Sequence, residues 1–407
     1  MSRLFVLLFG FVPAIVLGDV IIGGEGFQCS DDAACITRLH PEIPMVATAA
    51  PGERIVMKGR DAGDREFDPD DLSNPDKIPG AGFGVVHPLV GPVHIDGAQP
   101  GDVLAVTIEA IEPGPLGWTA TGDFGFAADR VGAQEAYIVW RLNRDFAETD
   151  ALPGVRIPNA SFPGVVTTLP SPEQLQTSLE REQQLADAGG DVFLPSPDVA
   201  EPSSLCGAEG TRAGECLRTL PPREFGGNLD IRYLKTGVTI YLPCNIDGCG
   251  LAIGDFHYAQ GDGEVSGTAI EMDADITVTT QVLKNGPDLS HGPHYSGSSA
   301  LLSIPSMRFH ATTGFPIKER GEIPRDIAYL ASEKVAELTN LSKDFDLAAA
   351  NALVAMIDYI VDEYGYDRTQ AYIIASVAVD IRVAQLVDAP NVGATAILPL
   401  DIFIDEN

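Results

Sequence analysis

The sequence predicts a mainly β protein, with sandwich- or barrel-like units drawn from both halves of the chain and a C-terminal α+β part. Two observations carry this. Over most of the chain, apolar and polar residues alternate in short runs bounded by Gly, Pro and Asp, the period of strands with one buried face. Near the C-terminus the spacing changes to the three-and-four step of a helix.

The chain opens with MSRLFVLLFGFVPAIVLGDV, one Arg ahead of an apolar run from Leu4 to Leu17. A bilayer crossing needs about 20 apolar residues, whereas a short apolar core behind a positive start describes an export signal, here cleaved near Gly18. RIVMKG around Val56 reads as a strand, and in GDVLAVTIEAIEPG the residues Leu104, Val106, Ile108 and Ala110 share one face. Residues 181–222 turn polar and rich in Gly, Pro, Ser and Glu, an excursion expected to act as an arm or cover. Strand signals return in TGVTIYLPC and in DADITVTTQVLK, where Ile276, Val278, Thr280 and Val282 line one face.

DLAAANALVAMIDYIVDEYG places Leu347, Leu353, Ile357 and Ile360 at helical spacing and stops at Gly365. Asp367 is a helix N-cap with Gln370 three residues on, and AYIIASVAVDIRVAQLVD reads as a second helix with a broad apolar stripe. Asp380 lies within that stripe and is expected to pair with Arg382 or another base. The organisation is a signal at 1–18, a β-rich N-terminal domain at 19–180, the excursion at 181–222, a second β-rich unit at 223–318 and an α/β part at 319–407. No repeat of 20–50 residues is present, which argues against a solenoid or propeller.

Acidic residues outnumber basic ones 58 to 26, giving a net charge of -32, so nucleic acid and anionic membrane surfaces are repelled. No membrane association is expected once the signal is removed, and the expected location is secreted or periplasmic. The six cysteines form three local couples, Cys29 with Cys35, Cys206 with Cys216, and Cys244 with Cys249. An oxidising compartment would join each couple as a disulfide; no Cys-x-x-Cys pair supports a zinc-thiolate site.

The chemistry concentrates in REFGGNLDIRYLKTGVTIYLPCNIDGCGLAIGDFHYAQGDGEVSGTAIE, residues 223–271. Within it, IGDFHYAQGDGE gathers Asp255, His257, Gln260, Asp262 and Glu264. If this piece is extended, Asp255 and His257 point one way, and Asp262 and Glu264 share a face as well. Carboxylates with an imidazole can activate water, polarise a carbonyl and protonate a leaving amine. They can do so around a divalent metal, zinc or calcium, or without one; no organic cofactor is expected. A solvated turn or a calcium loop uses the same residue types, although the flanking strands and the ligand spacing do not match a helix-flanked calcium loop.

This segment resembles the acetamidase/formamidase family. The resembling residues are Gly226, Gly227, Asn228 and Asp230, then Pro243, then the GD-x-H-x-x-QGDGE element from Gly254 to Glu264. HPLVGPVHIDGAQPGDVLAVTIEAI, starting at His87, and AYIIASVAVDIRVAQLVDAPNVGATAILPLDIF are similar to the family's N-terminal and closing segments. Cys244 and Cys249 depart from the small apolar residues usual there. The resemblance implies hydrolysis of a short linear amide to acid and ammonia, with a small-molecule partner and a homo-oligomeric state. Glu264 is then the expected base, with His257 and Asp262 as further catalytic residues. Asn228, Gln260 and His87 are expected to bind substrate, and Asp230, Asp255 and His257 to hold a metal. No Gly-x-Ser-x-Gly elbow is present, which favours water activation over a serine nucleophile. His291 and His294 in SHGPHYSG fit a surface loop as well as a metal site. The alternative from another class is a secreted, non-catalytic binding protein on the same scaffold, holding calcium in the acidic loop.

Overall fold

The computed structural model describes residues 18–65, 84–122, 125–190, 192–304, 306–324, 333–341, 343–387 and 392–404. The expected export signal lies outside them except for Gly18.

The alternating segments become strands of one branched 16-stranded sheet. Leu104, Val106 and Ile108 are buried along Val103–Thr121, which runs on past the Pro-Gly-Pro that reads in sequence as its end. A register shift between Met272 and Ala274 of the partner strand Glu271–Leu283 absorbs that stretch, so pairing resumes at Gly117 and Trp118. Glu271–Leu283 buries Ile276, Val278 and Thr280 and pairs along its length with Arg54–Gly59 and Val103–Thr121. Strand Cys249–His257 is buried at every residue, lying between Phe162–Thr167 and Leu89–Ile95. Strands from 19–180 and 223–318 are therefore neighbours within a single sheet.

The excursion is pinned to the body. It begins inside helix Pro172–Asp187, where the side chain of Ser171 accepts from Gln174 N–H and that of Gln174 accepts from Ser171 N–H. Farther on, Leu217–Arg218 pairs with Arg38–Leu39, and the buried Arg38 guanidinium donates to the carbonyls of Ser196 and Asp198. Cys206 and Cys216 are buried in a small core with Leu39, Leu169 and Phe225. All three expected disulfides are present: Cys29–Cys35, Cys206–Cys216 and Cys244–Cys249.

Helix Phe345–Tyr364 ends at Gly365 in the left-handed region, and Asp367 caps the next helix, Arg368–Ala378, in a reciprocal box with Gln370. That second helix is shorter than its apolar stripe suggests. Asp380–Gln385 is instead a strand, paired with Gly393–Pro399, which pairs in turn with Phe309–Gly314. The β-branched Ile381 and Val383 suit a strand once a partner is available, so tertiary pairing overrides the helical spacing. None of the described helices is long and apolar enough to cross a membrane.

Candidate active site

Strand pairing puts His257 in the middle of a group of carboxylates. Across the ladder it stands opposite Glu271 on one neighbour and Phe162 on the other, whose ring meets the imidazole edge-on at 5.0 Å. His257 Nε2 lies 3.4 Å from Asp255 Oδ1, 3.2 Å from Glu271 Oε2 and 4.0 Å from Glu264 Oε1. Asp230 enters from the turn after strand Gly226–Asn228. One ligand atom each from Asp230, His257 and Glu264 lie within 4.8 Å of one another, and the same holds for Asp255, His257 and Glu271.

The backbone is bent to achieve this. Asp230, Asp255 and Glu264 have φ of 46°, 56° and 44°, the left-handed region that non-glycine residues occupy at a cost of about 1 kcal/mol or more each. Gly164 of the neighbouring strand makes room. A Cβ there would lie 2.3 Å from Asp255 Oδ2 and 2.6 Å from Asp230 Oδ1. The Gly164 carbonyl also accepts the N–H groups of Leu229 and Asp230, which holds the Asp230 turn against strand Phe162–Thr167, the neighbour of the motif strand.

Gln260 fixes the imidazole. Its Nε2 donates to the Asp230 carbonyl at 3.0 Å, which leaves its Oε1 to accept from His257 Nδ1–H at 2.9 Å. Nδ1 thus carries a proton, and Nε2 faces the carboxylates as the variable nitrogen.

The charges are strongly coupled. Burial, reinforced by the charge of Asp255, pushes the Asp230 carboxyl up to about 7. Burial and then Asp230 raise Glu264 well above the usual carboxylate range. Burial also raises Glu271, against the opposing pull of His257. For Asp255 burial works upward, but His87 and His257 beside it outweigh burial and hold it down at about 2. Burial would lower His257, yet Glu271 and Asp255 raise it well above the ordinary imidazole value. Without a bound cation, protons on His257 and on the Asp230–Glu264 pair offset the negative charge.

Asp230 Oδ1, Asp255 Oδ1 and Glu271 Oε2 are buried with no hydrogen-bond partner among the described residues. Buried carboxylate oxygens grouped around one imidazole nitrogen fit a metal cation, and that donor set suits a divalent ion.

The other expected site residues fall at different distances from this centre. His87 backs the cluster, its Nε2 3.8 Å from Asp255 Oδ1, and burial holds its imidazole below the usual value. Asn228 lies two residues before Asp230, with a buried Oδ1 that has no partner among the described residues. Asp262 is turned elsewhere: its Oδ2 accepts from Tyr233 OH at 2.7 Å and sits 3.7 Å from Arg382 Nε. The expected shared face of Asp262 and Glu264 is absent, because residues 258–270 form turns rather than a strand. Asp380 pairs with Arg382, as expected, and also with Arg232. His291 and His294 lie in an exposed surface stretch outside both metal-capable groups.

Two members of the site escape sequence reasoning. Glu271 falls on the odd-numbered face of its strand with Asp273 and Asp275, which reads as solvated. Gly164 in FPGVV carries no signal except that glycine inside a buried strand marks a close approach.

Comparison with known proteins gives the chain's relatives. Residues 27–405 match the Acetamidase/Formamidase family. The chain is 31% identical over 367 residues to an acetamidase of Mycolicibacterium smegmatis, covering 83% of this chain and 84% of that one. It is 28% identical over 397 residues to a formamidase of Methylophilus methylotrophus, covering 91% and 90%. Among solved structures, the gamma lactamase from Delftia acidovorans superposes with a TM-score of 0.80 at 26% identity, covering 95% of this chain and 93% of that one.

Proposed function

Because the chain belongs to the acetamidase/formamidase family, we propose that it hydrolyses the C–N bond of a small linear amide, of the formamide or acetamide kind, to the acid and ammonia. The observation that carries this reading is His257 Nε2 ringed by the carboxylates of Asp255, Glu271, Glu264 and Asp230. The residues that would hold a divalent metal are His257 with Asp255 and Glu271, or His257 with Asp230 and Glu264. The imidazole favours zinc over calcium, which prefers an all-oxygen shell. Such an ion, when bound, polarises a carbonyl and acidifies a water.

The chain's own groups then have separate tasks. Glu264, whose side chain keeps 18% exposure, takes the proton of the attacking water and returns it to the departing amine. Its raised proton affinity suits both halves of that transfer. Gln260 and His87 act behind the cluster, orienting His257 and Asp255, in place of the substrate contacts expected from sequence. Asp262 serves the neighbouring polar network.

The three disulfides support reading the first 18 residues as an export signal and the mature protein as secreted or periplasmic. Met307 and Phe309, 94% and 63% exposed, support self-association through the face around strand Phe309–Gly314.

The deciding experiment follows ammonia release from formamide, acetamide, propionamide and benzamide by purified protein with and without added zinc. Release from the short amides is expected. No release from any of them by folded, metal-supplied protein would leave a non-catalytic binding protein as the better reading.

A further inference from the structure

Asp230 and Glu264 reach His257 from two separate turns, each in a left-handed backbone conformation that must be held from outside. Both turns are tied to one carboxylate that does not touch the cluster. Arg232, two residues after Asp230, donates through Nη1 to Asp380 Oδ1. The N–H of Asp262, two residues before Glu264, donates to that same oxygen at 3.2 Å. Asp380 Oδ2 accepts from Arg382 Nη2 at 2.7 Å.

The backbone repeats the connection. Ile381 N–H donates to the Asp262 carbonyl at 2.9 Å, and Gly261 N–H to the Ser376 carbonyl at 2.8 Å. Gly261 sits so close that a Cβ would fall 2.0 Å from the Val379 carbonyl oxygen. The Asp380 side chain is 3% exposed and that of Arg232 12%. Their pairing is therefore little screened, and losing the Asp380 charge takes from the buried Arg232 its ion-pair partner.

We infer that Asp380 is a positioning residue, the common post that sets the spacing of Asp230 and Glu264 about His257 by holding Arg232 and the Asp262 amide on one oxygen. The inference rests on the amide-hydrolase reading only for its kinetic arm.

Asp380→Asn keeps an acceptor for the Asp262 amide and removes the charge. Thermal unfolding should show a folded protein. Hydrogen exchange should quicken on the order of tenfold at residues 228–234 and 260–267 and stay unchanged elsewhere. On the best amide, kcat should fall on the order of 10- to 100-fold, the usual loss when a supporting partner is removed, with KM nearly unchanged. Arg382→Met, which removes the more exposed partner, should do less on both counts. Wild-type exchange in the two segments overturns the inference. Quickened exchange with wild-type kcat also overturns it, since the carboxylate would then be structural only. If Asp380→Asn does not fold, Arg232→Gln takes its place with the same expectations and the same overturning results. Should the wild-type protein cleave no amide, the hydrolase reading falls, and the exchange arm alone decides this one.

Discussion

Glu271 and His257 are register partners on adjacent antiparallel strands, and their Oε2 and Nε2 atoms meet at 3.2 Å. The centre of the site is therefore built into the sheet, while Glu264 and Asp230 approach from turns.

Replacing Glu264 with Gln preserves shape and removes only the basic carboxylate. Turnover should drop by about 100- to 10,000-fold, the range a general base supplies, with an unchanged circular dichroism spectrum. Undiminished ammonia release from this variant would move the base to Asp230.

At Gly164, the absent side chain is the functional feature. Gly164→Ala would press a methyl group onto Asp255 and Asp230, so cation binding by competition with a chromophoric chelator should weaken severely. Overpacking of this kind destabilises by about 1–3 kcal/mol, measurable in urea. A variant with wild-type affinity for zinc would mean that the cluster is not the metal site.

Cation binding should depend steeply on pH. Asp230 sits near 7, and Glu264 and His257 are also raised, so in the cation-free protein these groups carry protons that a metal must displace. Lowering the pH below about 7 should therefore weaken binding, by roughly tenfold per pH unit for each proton displaced, and raising it should tighten binding. Calorimetry in buffers of different ionisation heat reads the released protons directly. Binding without proton release would contradict these protonation states.

Export is checked at the N-terminus of the secreted protein. Sequencing should begin close to Gly18, and a non-reducing digest should recover the Cys29–Cys35, Cys206–Cys216 and Cys244–Cys249 pairs. An intact Met1 with free thiols would place the protein in a reducing compartment instead.

The strands were legible wherever one face alternates. Leu104, Val106 and Ile108, and Ile276 with Val278, are buried as their spacing predicts. The strand Asp380–Gln385 was not legible, because the same apolar residues suit a helix and only Gly393–Pro399 decides between them. In the site, Asp255, His257 and Glu264 were visible as an unusual density of ionisable groups, and Asp230 only through the family resemblance. Glu271 was hidden by its parity, and Asp262 was misleading for the converse reason: motif membership places it near the centre in sequence, while a left-handed turn at Glu264 sends the two side chains apart. Pairing partners and backbone reversals are properties of the assembled sheet, which local pattern does not encode.

The contacts of Gly261 with Ser376 and of Asp262 with Asp380 and Ile381 also set an order of events during synthesis. The motif loop emerges from the ribosome more than a hundred residues before the segment that fastens it. Until that last stretch is made, the loop lacks these contacts however well the earlier strands have paired. The chain thus completes this loop late, after most of its sheet has been made.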